Sequence, residues 1–435
     1  MMRLLRAFVR SAAYERRFLC KNPWDLAMIL WIPLATILLV WWIFSRTQIT
    51  DLPIGVIDQD NGAVANTLVR YLEAHPNLRV ASLYSSSAEA EAAILQRDIY
   101  AVMVIPNDFS TNILASRPSP VLLQVNAQYG THSGIIQTSV QSVTGTLSAG
   151  VEIERLIKQG VAPSQAAISY SPISIQRTSL FNTATNYQQF LGATVIPALL
   201  HILAMVIGAT TIGRELRDKQ LDQWISFSND NHYSSNKSSN ASNIDRLPTK
   251  QNAKIAAESQ TTKSFVSVRV PILVLLSALI GKYSWPMLAF VLWSALAVGL
   301  ASYQQDIDLP SLLTVFLGLV LLMILSFWLG AIFTLVPLSL RMGLSSTGFI
   351  SAPSYAFAGV TYPYIAISNN AQYWANALPL THYLKLHIAQ LQMQAPLLLS
   401  LPIIYGLTIA IIVATVISTL LTKRALAHPE RWGAR

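Results

Sequence analysis

The sequence predicts a polytopic α-helical membrane protein with six transmembrane helices and an α/β extracytoplasmic domain inserted between the first two. Three observations carry this reading. Charged residues make up 12% of the 435 residues, about half of the roughly 25% usual in soluble proteins. Hydrophobic residues make up 52%, more than a water-facing globule of this size ordinarily carries. Six windows free of Asp, Glu, Lys and Arg, at 26–44, 187–212, 283–305, 309–340, 342 to about 362 and about 397–422, are each long enough to cross a bilayer core of about 30 Å as a helix.

The elements follow in order. Residues 1–23 read as a cytoplasmic amphipathic helix, with Leu4, Leu5, Phe8, Val9 and Ala12 set among Arg3, Arg6, Arg10, Arg16 and Arg17, suited to lie on a membrane face. The other reading is a basic flank that only sets topology. The 23 residues ahead of the first apolar run argue against a cleavable signal peptide and for a retained first span at 24–45.

Residues 46–186 change pattern to short strands alternating with helical stretches. Strands are expected at 52–57, 78–83, 100–105, 121–125 and 173–178, and helices at 62–74, 88–96 and 133–159. That alternation favours an α/β layer. Asp58 and Asp60, just after the first strand, suit a turn that leads into the next helix, with a ligand site as the alternative.

The second span is expected at 187–212, and residues 213–282 at the cytoplasmic side. There Gly213 to Trp224 reads as a charged helix, and 226–263, rich in Ser and Asn, as a flexible polar insert. The apolar stretch 270–280 is too short to cross alone and reads as an interfacial or cytoplasmic helix leading into the third span. Spans three to six occupy 283–422, and 423–435 forms a tail. With both termini in the cytoplasm, 21 of the 30 Lys and Arg residues fall inside, as the positive-inside tendency requires.

Several chemistries lose support. A single cysteine, Cys20, forms no internal disulfide and no cysteine-based metal site. No phosphate-binding loop is present, since Gly281-Lys282-Tyr283 lacks its upstream glycine and its Ser or Thr. No GxSxG or HExxH motif suggests an enzyme. No cofactor, metal or nucleic-acid partner is expected. All 21 acidic residues can be placed outside the membrane interior, whereas ion-coupled carriers usually hold a carboxylate within their spans. His201 alone is expected to titrate inside a span, and reads as a packing group hydrogen-bonded to a neighbouring helix.

Four stretches resemble the permease subunits of ABC-2 type exporters, in the subgroup with a large extracytoplasmic domain between the first two spans. They are Leu52-Pro53-Ile54-Gly55-Val56-Ile57-Asp58-Gln59-Asp60, Val104-Ile105-Pro106-Asn107-Asp108-Phe109, the run Arg214-Glu215 to Leu221-Asp222-Gln223, and Ala358-Gly359 to Pro363 followed by Leu378-Pro379-Leu380-Thr381. Gly281-Lys282 is similar to the family's Gly-Lys at the start of the third span. The chain departs from the pattern where Lys219-Gln220 stands in place of Gly-Thr and Arg217 in place of Glu.

The resemblance implies a half-transporter of the bacterial inner membrane. Its partners would be cytoplasmic ABC ATPase subunits, a second permease (a homodimer or a paralogous heterodimer), and a periplasmic adaptor where one is used. It also implies an ATPase-coupling surface, expected at Arg214, Glu215, Arg217, Asp218 and Asp222. The alternative is a solvated helix with pairs such as Arg214 with Asp218. The fifth span is rich in hydroxyls, so Ser346, Ser351, Ser354 and Tyr355 are expected along a substrate path, with close helix packing as the alternative. Two other classes stay open: a non-transporting envelope-binding membrane protein and an ion-coupled carrier. Drug, lipid and other envelope substrates are equally compatible with the sequence.

Overall fold

The computed structural model describes residues 1–170, 180–183, 185–228, 270–303 and 305–433. The chain forms two compact units, Met1–Thr47 with Phe181–Arg435, and Gln48–Leu180.

The first unit opens with α1 (Met2–Lys21), whose buried face is Ala7, Ser11, Glu15 and Leu19. The two small residues of this i, i+4 stripe, Ala7 and Ser11, let another helix approach closely. Leu5 and Val9 are exposed, as the apolar face of a helix lying on a membrane would be in the protein alone. Next come α2 (Pro23–Ile29) and α3 (Trp31–Ile43). Pro33 has no N–H to give the Ile29 carbonyl, and the Trp293 indole donates to that oxygen instead at 2.9 Å.

The second unit contains β1 (Leu52–Asp58), α4 (Ala63–Glu73), β2 (Leu78–Leu83), α5 (Ser87–Gln96), β3 (Ala101–Ile105), α6 (Phe109–Leu114), β4 (Leu122–Val125), α7 (Gly130–Lys158) and α8 (Pro163–Tyr170). The strands lie in the order β2-β1-β3-β4, with β1 parallel to β2 and β3, and β4 antiparallel to β3. The α/β alternation is therefore present, and the expected strands at 52–57, 78–83, 100–105 and 121–125 match to within a residue at either end. The expected strand at 173–178 lies outside the described residues.

Asp58 and Asp60 build the turn. Asp58 Oδ1 accepts from the backbone N–H groups of Asp60 and Asn61 at 2.9 and 3.0 Å. Asp60 Oδ2 accepts from the Ser110 hydroxyl at 2.5 Å and the Ser110 and Gly62 N–H groups at 3.1 Å. The Ser110 oxygen in turn accepts from Val64 and Ala65 N–H. It caps the start of α4 from α6, a long-range substitute for a local N-cap. The Ser110 hydrogen bonds hold the Asp60 carboxyl below the usual carboxylate range.

The first unit resumes with a π-helical turn (Gln188–Gly192) running into α9 (Ala193–Arg217), then α10 (Leu221–Ser228). The polar insert expected from residue 226 thus begins at least three residues later, because Leu221, Trp224, Ile225 and Ser228 form the buried face of α10. Residues 229–263 of that expected insert lie outside the described residues. After them come α11 (Ile272–Ala301), α12 (Leu309–Leu335), α13 (Leu340–Ser351), α14 (Ser354–Phe357), α15 (Asn369–Ala377), α16 (Pro379–His387), a second π-helical turn (Ile388–Gln392) and α17 (Leu401–Ala427).

Among the described residues, five helical segments are long and apolar enough to cross a membrane: Pro23–Ile43, Gln188–Arg217, Ile272–Ala301, Leu309–Leu335 and Leu397–Ala427. Two expectations are corrected. The stretch at 270–280 is not a separate helix but the opening of α11, whose 30 residues extend ~45 Å, longer than the bilayer core. The window at 342–362 is not one helix. α13 stops at Ser351, Pro353 follows, and Gly359 takes a left-handed φ of 80°, so backbone chemistry breaks an apolar run that composition alone joins. Beyond it, Tyr362, Tyr373 and Trp374 are exposed, as amphipathic rings at a membrane interface would be.

α9 and α12 pack at backbone distance. A methyl group on Gly208 would collide with the Phe327 carbonyl, and one on Gly330 with the Met205 carbonyl. Across the same seam His201 Nδ1 lies 2.6 Å from Ser326 Oγ, the inter-helix role expected of it. α3 and α17 keep wide exposed apolar faces, including Leu38, Leu39 and Trp42 on one and Ile409, Val413 and Leu420 on the other.

Candidate functional site

Four ionisable side chains from three distant parts of the sequence meet at one end of the helical unit. Glu15 comes from α1, Arg214 and Glu215 from the last turn of α9, and Lys282 from α11. All four are buried. Lys282 Nζ donates to Glu215 Oε1 at 2.7 Å and to Glu15 Oε2 at 3.3 Å. Arg214 pairs with Glu15, and Asp25 lies 3.8 Å from its guanidinium.

Aromatic rings close the site. The Arg214 guanidinium lies 3.9 Å from the Phe18 ring, and Lys282 Nζ lies 4.9 Å from Trp224 and 5.0 Å from Tyr14. Both cations are thus desolvated against π faces as well as paired. The Trp224 indole donates to Ser11 Oγ at 2.9 Å, which ties α10 to α1. The Tyr14 hydroxyl donates to Glu215 at 3.4 Å. Burial and the neighbouring Glu215 carboxylate push the Tyr14 phenol up to about 12.

The local sequence explains how α1 reaches this position. Ser277 Oγ donates to the Leu4 carbonyl at 2.6 Å and Trp285 Nε1 to the Ala12 carbonyl at 3.1 Å. Between them, a methyl group on Gly281 would strike the Phe8 carbonyl. Residues 4, 8 and 12 therefore step along 277, 281 and 285, one turn at a time, so α1 runs parallel to the opening of α11. In the Gly281-Lys282 pair, the glycine admits the backbone of α1 and the lysine meets its glutamate.

The charge inventory shows two partners still open: Glu15 Oε1 and Arg214 Nε are buried without a hydrogen bond among the described residues. Such a junction is costly to disturb, because removing one member strands a buried opposite charge. Within it Glu15 is fully buried and Glu215 is 3% exposed. Glu15 hid within a run of arginines, where its spacing to Ser11 and Leu19 was the only available signal.

The expected coupling residues divide. Arg214 and Glu215 are buried in the junction, while Arg217, Asp218 and Asp222 are exposed around the α9–α10 turn. Arg217 Nε donates to Asp218 at 2.8 Å, in place of the considered pair of Arg214 with Asp218. At the centre of the turn Lys219 has φ 56°, the left-handed conformation that glycine adopts without cost.

The expected substrate-path residues are also separated. Ser351 Oγ donates to the Thr347 carbonyl at 2.7 Å within α13, and Ser354 Oγ, at the start of α14, donates back across the break to the Ile350 carbonyl at 2.8 Å. Tyr355 lies 2.8 Å from Thr194 Oγ1, and Ser346 is half-buried. A second polar locus was not anticipated. The two π-helical turns meet where the Gln392 amide donates to the Gln189 carbonyl at 2.9 Å. Beside them is a cavity of about 270 Å³ lined by Gln189, Gln305, Asp306, Gln392 and Gln394. π-helical turns commonly mark functional positions, but glutamines carry no motif by which sequence could single them out.

Comparison with known proteins gives one finding. Residues 23–236 match a family described as ABC-2 family transporter protein. That stretch runs from α2 through α10 and includes Arg214, Glu215 and the Lys219 turn. No match was found among curated proteins or among solved structures.

Proposed function

The chain belongs to the ABC-2 family of transporter proteins through residues 23–236, a membrane permease of an ABC transporter, and from that premise we propose that it serves an exporter. In this reading it carries a drug, lipid or other envelope compound outward across the bacterial inner membrane. ATP is hydrolysed by separate cytoplasmic subunits, and the chain supplies no catalytic or nucleotide-binding residue. Both termini and the α9–α10 turn face the cytoplasm, the Gln48–Leu180 unit lies outside, and a second permease or lipid covers the exposed faces of α3 and α17.

The observation that carries the mechanism is the buried junction of Glu15, Arg214, Glu215 and Lys282 beside an exposed charged turn. Arg217, Asp218 and Asp222 meet the ATPase. The junction binds that turn to α1, α9 and α11, so a displacement of the turn moves three helices together instead of fraying one helix end. Thr194, Ser346, Ser351, Ser354, Tyr355 and the glutamine-lined cavity mark the proposed substrate route toward the outer side.

The test is transport in inverted membrane vesicles containing the chain and its ATPase. Uptake should require ATP and disappear when the ATPase is inactivated, with Asp222→Lys weakening ATPase association. Uptake driven by a proton gradient and indifferent to ATP would replace this reading with the ion-coupled one. Ligand binding with no transport under either driving force would leave the envelope-binding one.

A further inference from the structure

The second unit contains a trough that the transport reading does not use. A cavity of about 650 Å³ lies between α4, α6, the loop at 116–121 and the second half of α7, within the size range of small-molecule sites. Its floor is the edge of the domain core: Leu68 and Phe109 are buried, while Val64, Ile113, Val121 and Leu147 pack against that core yet remain partly exposed.

α7 explains why the trough exists. Its 29 residues outrun the sheet, and its core-facing residues end at Val143. The same stripe then continues at i+4 intervals through Leu147 and Val151 to Arg155, so an apolar helix face extends past the core and ends at a cation. Pro118 and Pro120 stiffen the opposite wall.

The charges on the rim are unequal. Arg155 is engaged, its Nε donating to Glu152 Oε2 at 2.9 Å. Arg117 is exposed on the rim, and its guanidinium has no hydrogen bond or ion pair among the described residues. An apolar trough with one uncommitted guanidinium at its mouth matches a molecule with a hydrocarbon body and a single anionic head.

We propose that this trough binds a single-chain anionic amphiphile, a fatty acid by chemical class, with the chain along Leu68, Phe109, Leu147 and Val151 and the carboxylate on Arg117. The site is independent of the ATP-driven reading, since it needs only the folded second unit.

The test uses the full chain in nanodiscs of zwitterionic lipid, titrated with a fluorescent C16 fatty acid and with the C16 alcohol in competition. Saturable one-to-one binding above the empty-nanodisc background is expected. Arg117→Ala should weaken the acid about tenfold or more and leave the alcohol unchanged, whereas Val151→Trp should abolish both. A lysophospholipid competing better than the acid would assign the head to phosphate instead of carboxylate and overturn the fatty-acid assignment. Binding that is non-saturable, or that survives Val151→Trp in a variant with unchanged thermal unfolding, would overturn the site. Leu147→Trp provides the same test should Val151→Trp fail to fold. Equilibrium binding is read without ATP or transport, so its failure leaves the exporter reading untouched.

Discussion

Arg214 and Arg217 stand one helical turn apart, yet they belong to different physics. Arg214 sits in a junction where two carboxylates and two cations share contacts away from water. Arg217 makes a single pair with Asp218, with side chains 61% and 42% exposed. The dielectric around the first makes each charge depend on the others, and water around the second makes its partner nearly dispensable. A run of alternating charges along a chain is therefore not one surface: its buried members hold helices together while its exposed members remain free to meet a partner.

The largest predicted effect breaks the buried half. Lys282→Met leaves Glu15 and Glu215 with Arg214 as the remaining cation, and a stranded buried charge costs about 3–5 kcal/mol. Thermal unfolding of the detergent-solubilised protein should show this as a large fall in Tm, while Arg217→Met should change stability by less than about 0.5 kcal/mol. Equal losses at the two positions would erase the distinction.

A smaller effect should come from the seam that delivers Glu15. Gly281→Val places a Cβ where it strikes the Phe8 carbonyl, and overpacking of this kind costs about 1–3 kcal/mol. Its signature differs from that of Lys282→Met, because α1 itself should loosen: limited proteolysis is expected to cut between residues 10 and 21 in the variant and not in the parent. An α1 that stays protected would mean the helix is held by something other than this close approach.

Lys219 tests the exposed half by its backbone. Lysine in the left-handed region is strained by about 1–2 kcal/mol, and glycine returns about 0.5–1 kcal/mol of that as unfolded-state entropy. Lys219→Gly should therefore raise stability by up to about 1 kcal/mol, and Lys219→Val, β-branched at φ 56°, should lower it. The left-handed turn is made at Lys219 without a glycine, at the expense of this strain.

Much of this was legible in sequence. Hydrophobic runs without charge located four of the six expected spans well, because a membrane helix must close its own hydrogen bonds and so writes a long continuous signal. Alternation located four strands of the second unit. The broken stretch after Ser351 was not legible, since Pro353 and Gly359 act through backbone geometry that a composition window averages away. The junction was half legible: Arg214, Glu215 and Lys282 stood out, but pairing them required knowing that α1 lies along α11. That register is set by Ser277, Gly281 and Trp285 meeting carbonyls, and a carbonyl has no letter in the sequence.

The smallest effect concerns Asp218, and its sign follows from its bond to Arg217. That hydrogen bond lowers the Asp218 carboxyl below its ordinary value, so the pair's contribution is present above the unfolded carboxylate range near 3.9 and is lost as pH falls through the lower folded value. With both side chains largely in water, the contribution should not exceed about 1 kcal/mol. Subtracting the stability of Asp218→Asn from that of the parent should give a small positive difference at pH 6, shrinking by pH 3 and shrinking again in 0.5 M salt, where exposed charges are screened. A difference as large as that of Lys282→Met, or one that ignores salt, would place Asp218 inside the junction with Arg214 instead of outside it with Arg217.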